Sequence, residues 1–84
     1  MVFLTKPNGM VRQFEGPLGI RVELVTTRCM LNHIWRKLDV IEESLAEKGL
    51  LTDVEKRAAA RMWEMADRYC QWETTLLDTL SGGA

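Results

Sequence analysis

The turn "KGLLTDVE", residues 48–55, ends one helix and begins another. Gly49 can adopt the left-handed conformation that terminates helices, and Lys48 suits the negative end of the helix dipole. Thr52 and Glu55 have the spacing of a capping box, in which each side chain accepts a hydrogen bond from the other residue's backbone N–H. The turn therefore predicts two helices joined by few residues.

The periodicity on both sides of this turn supports the same prediction. Apolar residues before the turn are spaced three and four apart, which is a heptad seam. They are Leu31, Ile34, Leu38, Ile41 and Leu45. We expect one helix over residues 27–48, a second over 52–80, and a flexible tail over 81–84. Helices joined by so short a turn pack as antiparallel neighbours.

Residues 1–25 are predicted to be β-rich. "VFLT" (2–5) and "MVRQF" (10–14) flank the turn "KPNG" (6–9), which indicates a β-hairpin. "IRVELV" (20–25) also alternates, and its β-branched residues favour a third strand over the first turns of a helix. We predict an α+β, mostly α fold in a single domain, residues 1–80. It is an N-terminal β-hairpin or short meander followed by a long antiparallel two-helix hairpin, which dimerisation could complete as a four-helix bundle.

Composition sets limits on the class of protein. The 84 residues are 46% hydrophobic and 27% charged, with a net charge of −1, so the chain should fold and has no general attraction for nucleic acid or anionic membrane. No apolar run approaches the ~18 residues of a membrane span, and the start lacks the apolar core of a signal peptide. A cytoplasmic location and two free cysteine thiols are therefore expected.

The second helix carries more apolar surface than one neighbour needs. Its first apolar row contains Met62, Met65, Tyr69, Trp72 and Leu76. Its second row contains Trp63, Ala66, Cys70, Leu77 and Leu80. The second row could be covered by the N-terminal strands, by a second copy of the chain, or by another protein. The predicted interaction face consists of Trp63, Cys70, Leu77 and Leu80, with Met62 and Trp72 as neighbours.

Residue types that carry chemistry are present, but their spacing does not assemble a complete site. Cys29, His33, Asp67 and Cys70 are zinc-ligand types in two close pairs, but a helical wheel turns Cys29 and His33 away from the second helix. His33 is the only histidine, and no nucleophile with a neighbouring base can be assembled around it. Arginines 57, 61 and 68 share one flank, which Glu64 interrupts, so no nucleic-acid partner is expected. Glu64 and Arg68 should instead form an i,i+4 pair.

The segment "RKLDVIEESLAEKGLLTDVEKR", residues 36–57, resembles the helical lead-in segment of nitrile hydratase alpha subunits, in which a similar turn joins two helices. It covers about a quarter of the chain. The cysteine cluster that binds metal in that family is absent, so no residue role is carried over. We interpret the similarity as shared turn chemistry.

These observations predict a non-enzymatic interaction or assembly module, without cofactor, that binds through the wide apolar face of its C-terminal helix. Its partner would be itself, as a homodimer or tetramer, or another protein that it serves as an accessory subunit. One alternative is a small regulatory inhibitor, of the type that phages and mobile elements encode, which occludes a host protein. Another is a metal or redox protein that uses Cys29, His33 and Cys70.

Overall fold

In the computed structural model, which describes residues 1–82, two short strands precede two long helices. Strand β1 spans Val2–Thr5 and β2 spans Val11–Phe14, while helix α1 spans Pro17–Lys48 and α2 spans Asp53–Gly82. The predicted β-hairpin and helical hairpin are thus confirmed. Of the tail predicted at 81–84, Ser81 and Gly82 continue α2, and Gly83 and Ala84 lie outside the described residues.

The β-hairpin is closed by a three-residue loop with a glycine bulge. The Gly9 N–H donates to the carbonyl of Lys6 (2.9 Å), and the Lys6 N–H donates to the carbonyl of Met10 (2.8 Å). Gly9 has φ +86°, a backbone conformation that residues other than glycine rarely adopt. The Asn8 side chain accepts the Met10 N–H at 3.0 Å. This loop type matches the right-handed twist of paired strands.

The predicted strand at residues 20–25 is wrong, because these residues form early turns of α1. The helix begins at Pro17, whose fixed φ and missing N–H suit a first helical position. Ile20 and Leu24 are buried, whereas Val22 between them is 56% exposed. The apparent alternation arises because α1 carries apolar residues on its outer face as well as on its inner face. The sheet therefore has two strands and no meander.

The turn between the helices has the predicted caps. Gly49 has φ +76°, and its N–H donates to the carbonyl of Leu45 at 2.7 Å. The Thr52 N–H donates to Glu55 Oε1, and the Glu55 N–H donates to Thr52 Oγ1, both at 3.2 Å. The Ser44 hydroxyl donates to Glu55 Oε2 at 2.8 Å and so connects the end of α1 to the start of α2. The capping box is confirmed.

The core consists of two clusters along the helical hairpin. The first contains Phe14, Ile20, Leu24, Trp72 and Leu76. The second contains Leu31, Ile34, Leu38 and Ala66. The first cluster includes the only strand residue of the buried core in the described chain, Phe14, whose ring centroid lies 6.4 Å from that of Trp72. The sheet therefore packs at one end of the helical hairpin, and the other end consists of the two helices alone.

A buried carboxylate holds the β-hairpin on the helices. Glu23 of α1 is 6% exposed and forms ion pairs with Arg12 of β2 and with Lys6 after β1, the latter at 3.8 Å. The Arg12 guanidinium also lies 5.1 Å from the centre of the Phe14 ring. Because one carboxylate contacts cations from both sides of the turn, it fixes the position of the whole β-hairpin against α1.

Glu23→Ala should lower the free energy of unfolding by about 1–3 kcal/mol, because it removes charged hydrogen bonds from a buried position. Denaturant unfolding measures the change, and hydrogen exchange of the strand amides should increase more than that of the α2 amides. Glu43→Ala, an exposed glutamate of the same helix, is the matched control. Equal effects of the two substitutions would contradict a tethering role for Glu23.

The capping box should also make stability depend on pH. The Thr52 N–H, the Ser44 hydroxyl and the Thr52 hydroxyl lower the pKa of Glu55 from its ordinary value of 4.5. A lowered folded-state pKa contributes stability above pH 4.5, and this contribution is lost as pH falls through the folded-state pKa. The stability difference between wild type and Glu55→Gln should therefore shrink below pH 4.5. In Ser44→Ala, NMR titration should show the Glu55 pKa closer to its ordinary value.

Candidate interaction surface

The two helices meet along one seam, which leaves a flank on either side of it. Buried and half-buried residues at alternating three- and four-residue spacing form this seam on both helices. In α1 they include Ile20, Leu24, Thr27, Leu31, Ile34 and Leu38. In α2 they include Ala59, Met62, Ala66, Tyr69 and Leu76. In an antiparallel pair, residues that come directly after a seam residue in the sequence lie on the same flank in both helices.

The β-hairpin covers one of these flanks, here named the covered flank. Trp72 of α2 lies beneath Phe14 and is 4% exposed, and Glu23 of α1 is held by the strands. The turn reaches farther along the same side, since Pro7 lines a small depression together with Met65. Sheet residues thus cover this flank at the end nearest the β-hairpin, whereas Met30 and Met65 farther along it stay 36% exposed.

The opposite flank is not covered by any described residue, and we name it the open flank. It is formed by residues that recur every seven positions on each helix. From α1 these are Arg21, Arg28, Trp35 and Glu42, and from α2 they are Lys56, Trp63, Cys70 and Leu77. All eight are exposed. One surface therefore contains apolar and charged side chains from both helices.

Trp35 and Trp63 join the two helices across the open flank. Their ring centroids are 5.3 Å apart with an interplanar angle of 70°, an edge-to-face arrangement that aromatic pairs favour. Trp35 is 37% exposed and Trp63 is 53% exposed. About half of an indole surface thus faces solvent in the middle of this flank, although aromatic side chains gain much free energy from burial.

The Trp35–Trp63 contact shows which residues of α1 and α2 lie at the same height along the helical hairpin. We call each such pair a level. A step of seven residues along α1 matches a step of seven residues back along α2, because antiparallel helices have the same rise. From the end nearest the β-hairpin, the levels are Arg21 with Leu77, Arg28 with Cys70, Trp35 with Trp63, and Glu42 with Lys56. The α1 side of the open flank is therefore basic near the β-hairpin and acidic at the far end.

The Arg28 guanidinium is already positioned at this surface. Its Nε donates to Glu73 Oε2 at 3.1 Å, and the two side chains are 55% and 29% exposed. An exposed pair of this kind contributes up to about 1 kcal/mol to stability. The ion pair also fixes the position of the Arg28 guanidinium at the level of Cys70. The Arg28 side chain stays 55% exposed, so it can make a further contact.

The residues predicted for the interaction face divide into two groups. Trp63, Cys70 and Leu77 are exposed on the open flank. Met62 packs against the second core cluster, Leu80 packs against the first, and Trp72 is buried within the first. These last three hold the fold together, so we leave them out of the candidate surface.

Sequence reasoning did not identify the residues that α1 contributes. Trp35 follows the seam residue Ile34 directly, and the heptad seam of α1 predicts contact with a single neighbouring helix. The available signal was the seven-residue interval that places Arg28, Trp35 and Glu42 in one column beside that seam. The antiparallel arrangement then brings this column next to Trp63, which a helical wheel of either helix alone does not reveal.

The proposed metal and redox residues lie apart. Cys29 and His33 are exposed on the outward side of α1, whereas Cys70 lies on the open flank. Both cysteines are free and exposed. Within residues 1–82, no group of three or more His, Cys, Asp or Glu side chains is arranged to hold a metal ion.

The predicted Glu64–Arg68 pair is confirmed at 2.7 Å.

A polar depression of about 290 Å³ lies between the β-turn and α2. Lys6 and Arg68 line it, but each is already paired, with Glu23 at 3.8 Å and with Glu64 at 2.7 Å. Trp72 also lines it, and its buried Nε1 donates no hydrogen bond within the described region. That nitrogen has almost no accessible surface, so a molecule in the depression could not reach it. Both cations of the depression therefore already have a carboxylate partner.

Two general properties of the chain complete the description of this surface. Among residues 1–82, neither helix combines the length and apolar character needed to cross a membrane. No family model, curated protein or solved structure matches the chain.

Proposed function

We propose that this protein is a non-enzymatic interaction module that binds another protein chain through the open flank. The observation that carries the proposal is the half-exposed Trp35–Trp63 pair, at the centre of a flank that the β-hairpin does not cover. Tryptophan is enriched among the residues that dominate binding energies at protein interfaces, and so is arginine. The open flank contains two of each.

The composition of the open flank also fits a protein interface. Its middle holds Trp35, Trp63 and Cys70, and its far end holds Glu42 and Lys56. Interfaces typically have an apolar, aromatic centre with a polar rim. Large exposed apolar patches on a small protein commonly mark sites of interaction.

One apolar cavity of the described region offers no groups for acid–base chemistry. A cavity of about 410 Å³ near the start of α2 is lined by Val54, Arg57, Ala58, Arg61, Met62 and Met65. This lining contains neither a nucleophile nor a general base. The lone histidine, His33, lies elsewhere on the outward side of α1. This cavity therefore gives no location for a reaction that needs a nucleophile beside a base.

A photo-cross-linking experiment tests the proposal. Benzoylphenylalanine in place of Trp63 should form covalent adducts with a bound protein chain when the tagged protein is expressed in its native host. The same residue in place of Val40, which is 65% exposed but lies outside the open flank, is the control position. Leu77→Asp should reduce the adducts from position 63 about tenfold, because it places a charge in a largely desolvated interface.

Adducts that are equally abundant from positions 63 and 40, or that are unaffected by Leu77→Asp, would refute the proposal. Circular dichroism should show unchanged helicity for Leu77→Asp, because Leu77 is 40% exposed and belongs to neither core cluster. The adduct mass also distinguishes partners. A regulatory inhibitor would give an adduct with one host protein, whereas a self-assembling module would give an adduct of two identical chains.

A further inference from the structure

We infer that the partner of the open flank is a second copy of this chain. The two copies are related by a two-fold axis that lies in the interface perpendicular to the helices, so that they run in opposite directions. The result would be a four-helix bundle with a β-hairpin on each outer face. This inference rests on the proposed function and names its partner. It follows from the order of charges and aromatic rings along the open flank.

The axis would pass between the second and third of the four levels. Each level of one copy would then face a different level of the other, the first against the fourth and the second against the third. Helix α1 would lie on α1 of the second copy, and α2 would lie on α2. This arrangement is isologous, so each contact occurs twice.

The contacts between the two α1 helices would be complementary. Arg21 of one copy would meet Glu42 of the second copy, which forms two ion pairs per dimer. Arg28 would meet the ring of Trp35 of the second copy, and an arginine over an indole face is the most favourable type of cation–π contact. Each arginine of the open flank would therefore gain a carboxylate or an aromatic ring.

The contacts between the two α2 helices would be mainly apolar. Cys70 would lie against Trp63 of the second copy, and Leu77 would lie along the aliphatic stem of Lys56 of the second copy, a part that lysine commonly buries. Within the four levels no like charges would meet, although the two Asp67 carboxylates beside the axis would face each other. In the parallel alternative, each level would face its own level, so Glu42 would meet Lys56, but Arg21 and Arg28 would meet Leu77 and Cys70 and would gain neither a carboxylate nor a ring.

The size of the surface is sufficient for such a dimer. The molecule measures 51 × 19 × 16 Å, and the open flank runs along its longest dimension. The four levels of the open flank span about 32 Å of that length at 1.5 Å per residue, and a standard stable interface buries about 800 Å² per partner, so the dimer would use most of this face. Small domains near this length also have a thin margin of stability, which oligomerisation commonly increases.

Cysteine alkylation tests this inference with an internal control. In the dimer Cys70 is covered, whereas Cys29, on the outward side of α1, stays exposed. Under reducing conditions at high protein concentration, the rate of Cys70 alkylation relative to Cys29 should be at least about tenfold lower in wild type than in Leu77→Lys, which would place a second cation against Lys56 of the second copy. Equal relative rates in the two proteins would overturn the inference.

Cross-linking tests the antiparallel register. Asp67 is exposed and would lie next to its own copy near the axis. In a Cys29→Ser, Cys70→Ser background, Asp67→Cys should therefore form a disulfide-linked dimer on mild oxidation. Lys56→Cys is the control, because its two copies would lie about 30 Å apart at 1.5 Å per residue. Rapid cross-linking of Lys56→Cys, or none of Asp67→Cys, would overturn the antiparallel arrangement.

The failure of this inference can be separated from the failure of the proposed function. If Cys70 is not protected in the purified protein but benzoylphenylalanine at position 63 forms an adduct with a different chain, the second-copy partner is refuted and the interaction module stands. If position 63 also forms no specific adduct, both are refuted.

Discussion

The Glu23 carboxylate determines which surface of this small protein is covered. It lies on α1, is almost fully buried, and pairs with Lys6 and Arg12 from the two sides of the β-hairpin. A two-stranded hairpin has marginal stability by itself, so it depends on this anchor and on Phe14, which packs against Trp72. The anchor lies on one side of the helix–helix seam. The sheet therefore covers that side.

A helical hairpin with one small sheet necessarily has a flank without cover. Here that flank contains a tryptophan from each helix in direct contact, and arginines follow on α1 toward the sheet. The Trp35–Trp63 contact stabilises the hairpin, yet it leaves much of both rings in solvent. Covering these rings with another chain would gain further free energy from apolar burial, which is why binding is the function that this architecture supports best.

The sequence predicts the helices, the turn and the β-hairpin well, but it does not predict which face of each helix is buried. Thr52, Glu55 and Gly49 specify the turn through contacts within a few residues. The start of α1 is missed because exposed valines on its outer face imitate the alternation of a strand. The two apolar rows of α2 contain similar residues, so composition cannot tell that Trp72 is core and Trp63 is exposed. That difference depends on where the sheet docks, which is set by contacts between β2 and α1 that a helical wheel does not include.

The central claim is that the open flank is the contact surface between two copies of the chain. The absolute mass of the reduced protein in solution, measured by light scattering after size exclusion, tests this claim most directly. One chain has a mass of 9.6 kDa. We predict a mass of two chains, which Leu77→Lys shifts toward one chain, because it places two cations together at Lys56, and which Val40→Asp leaves unchanged. A mass of one chain for the wild type at every concentration would contradict the claim.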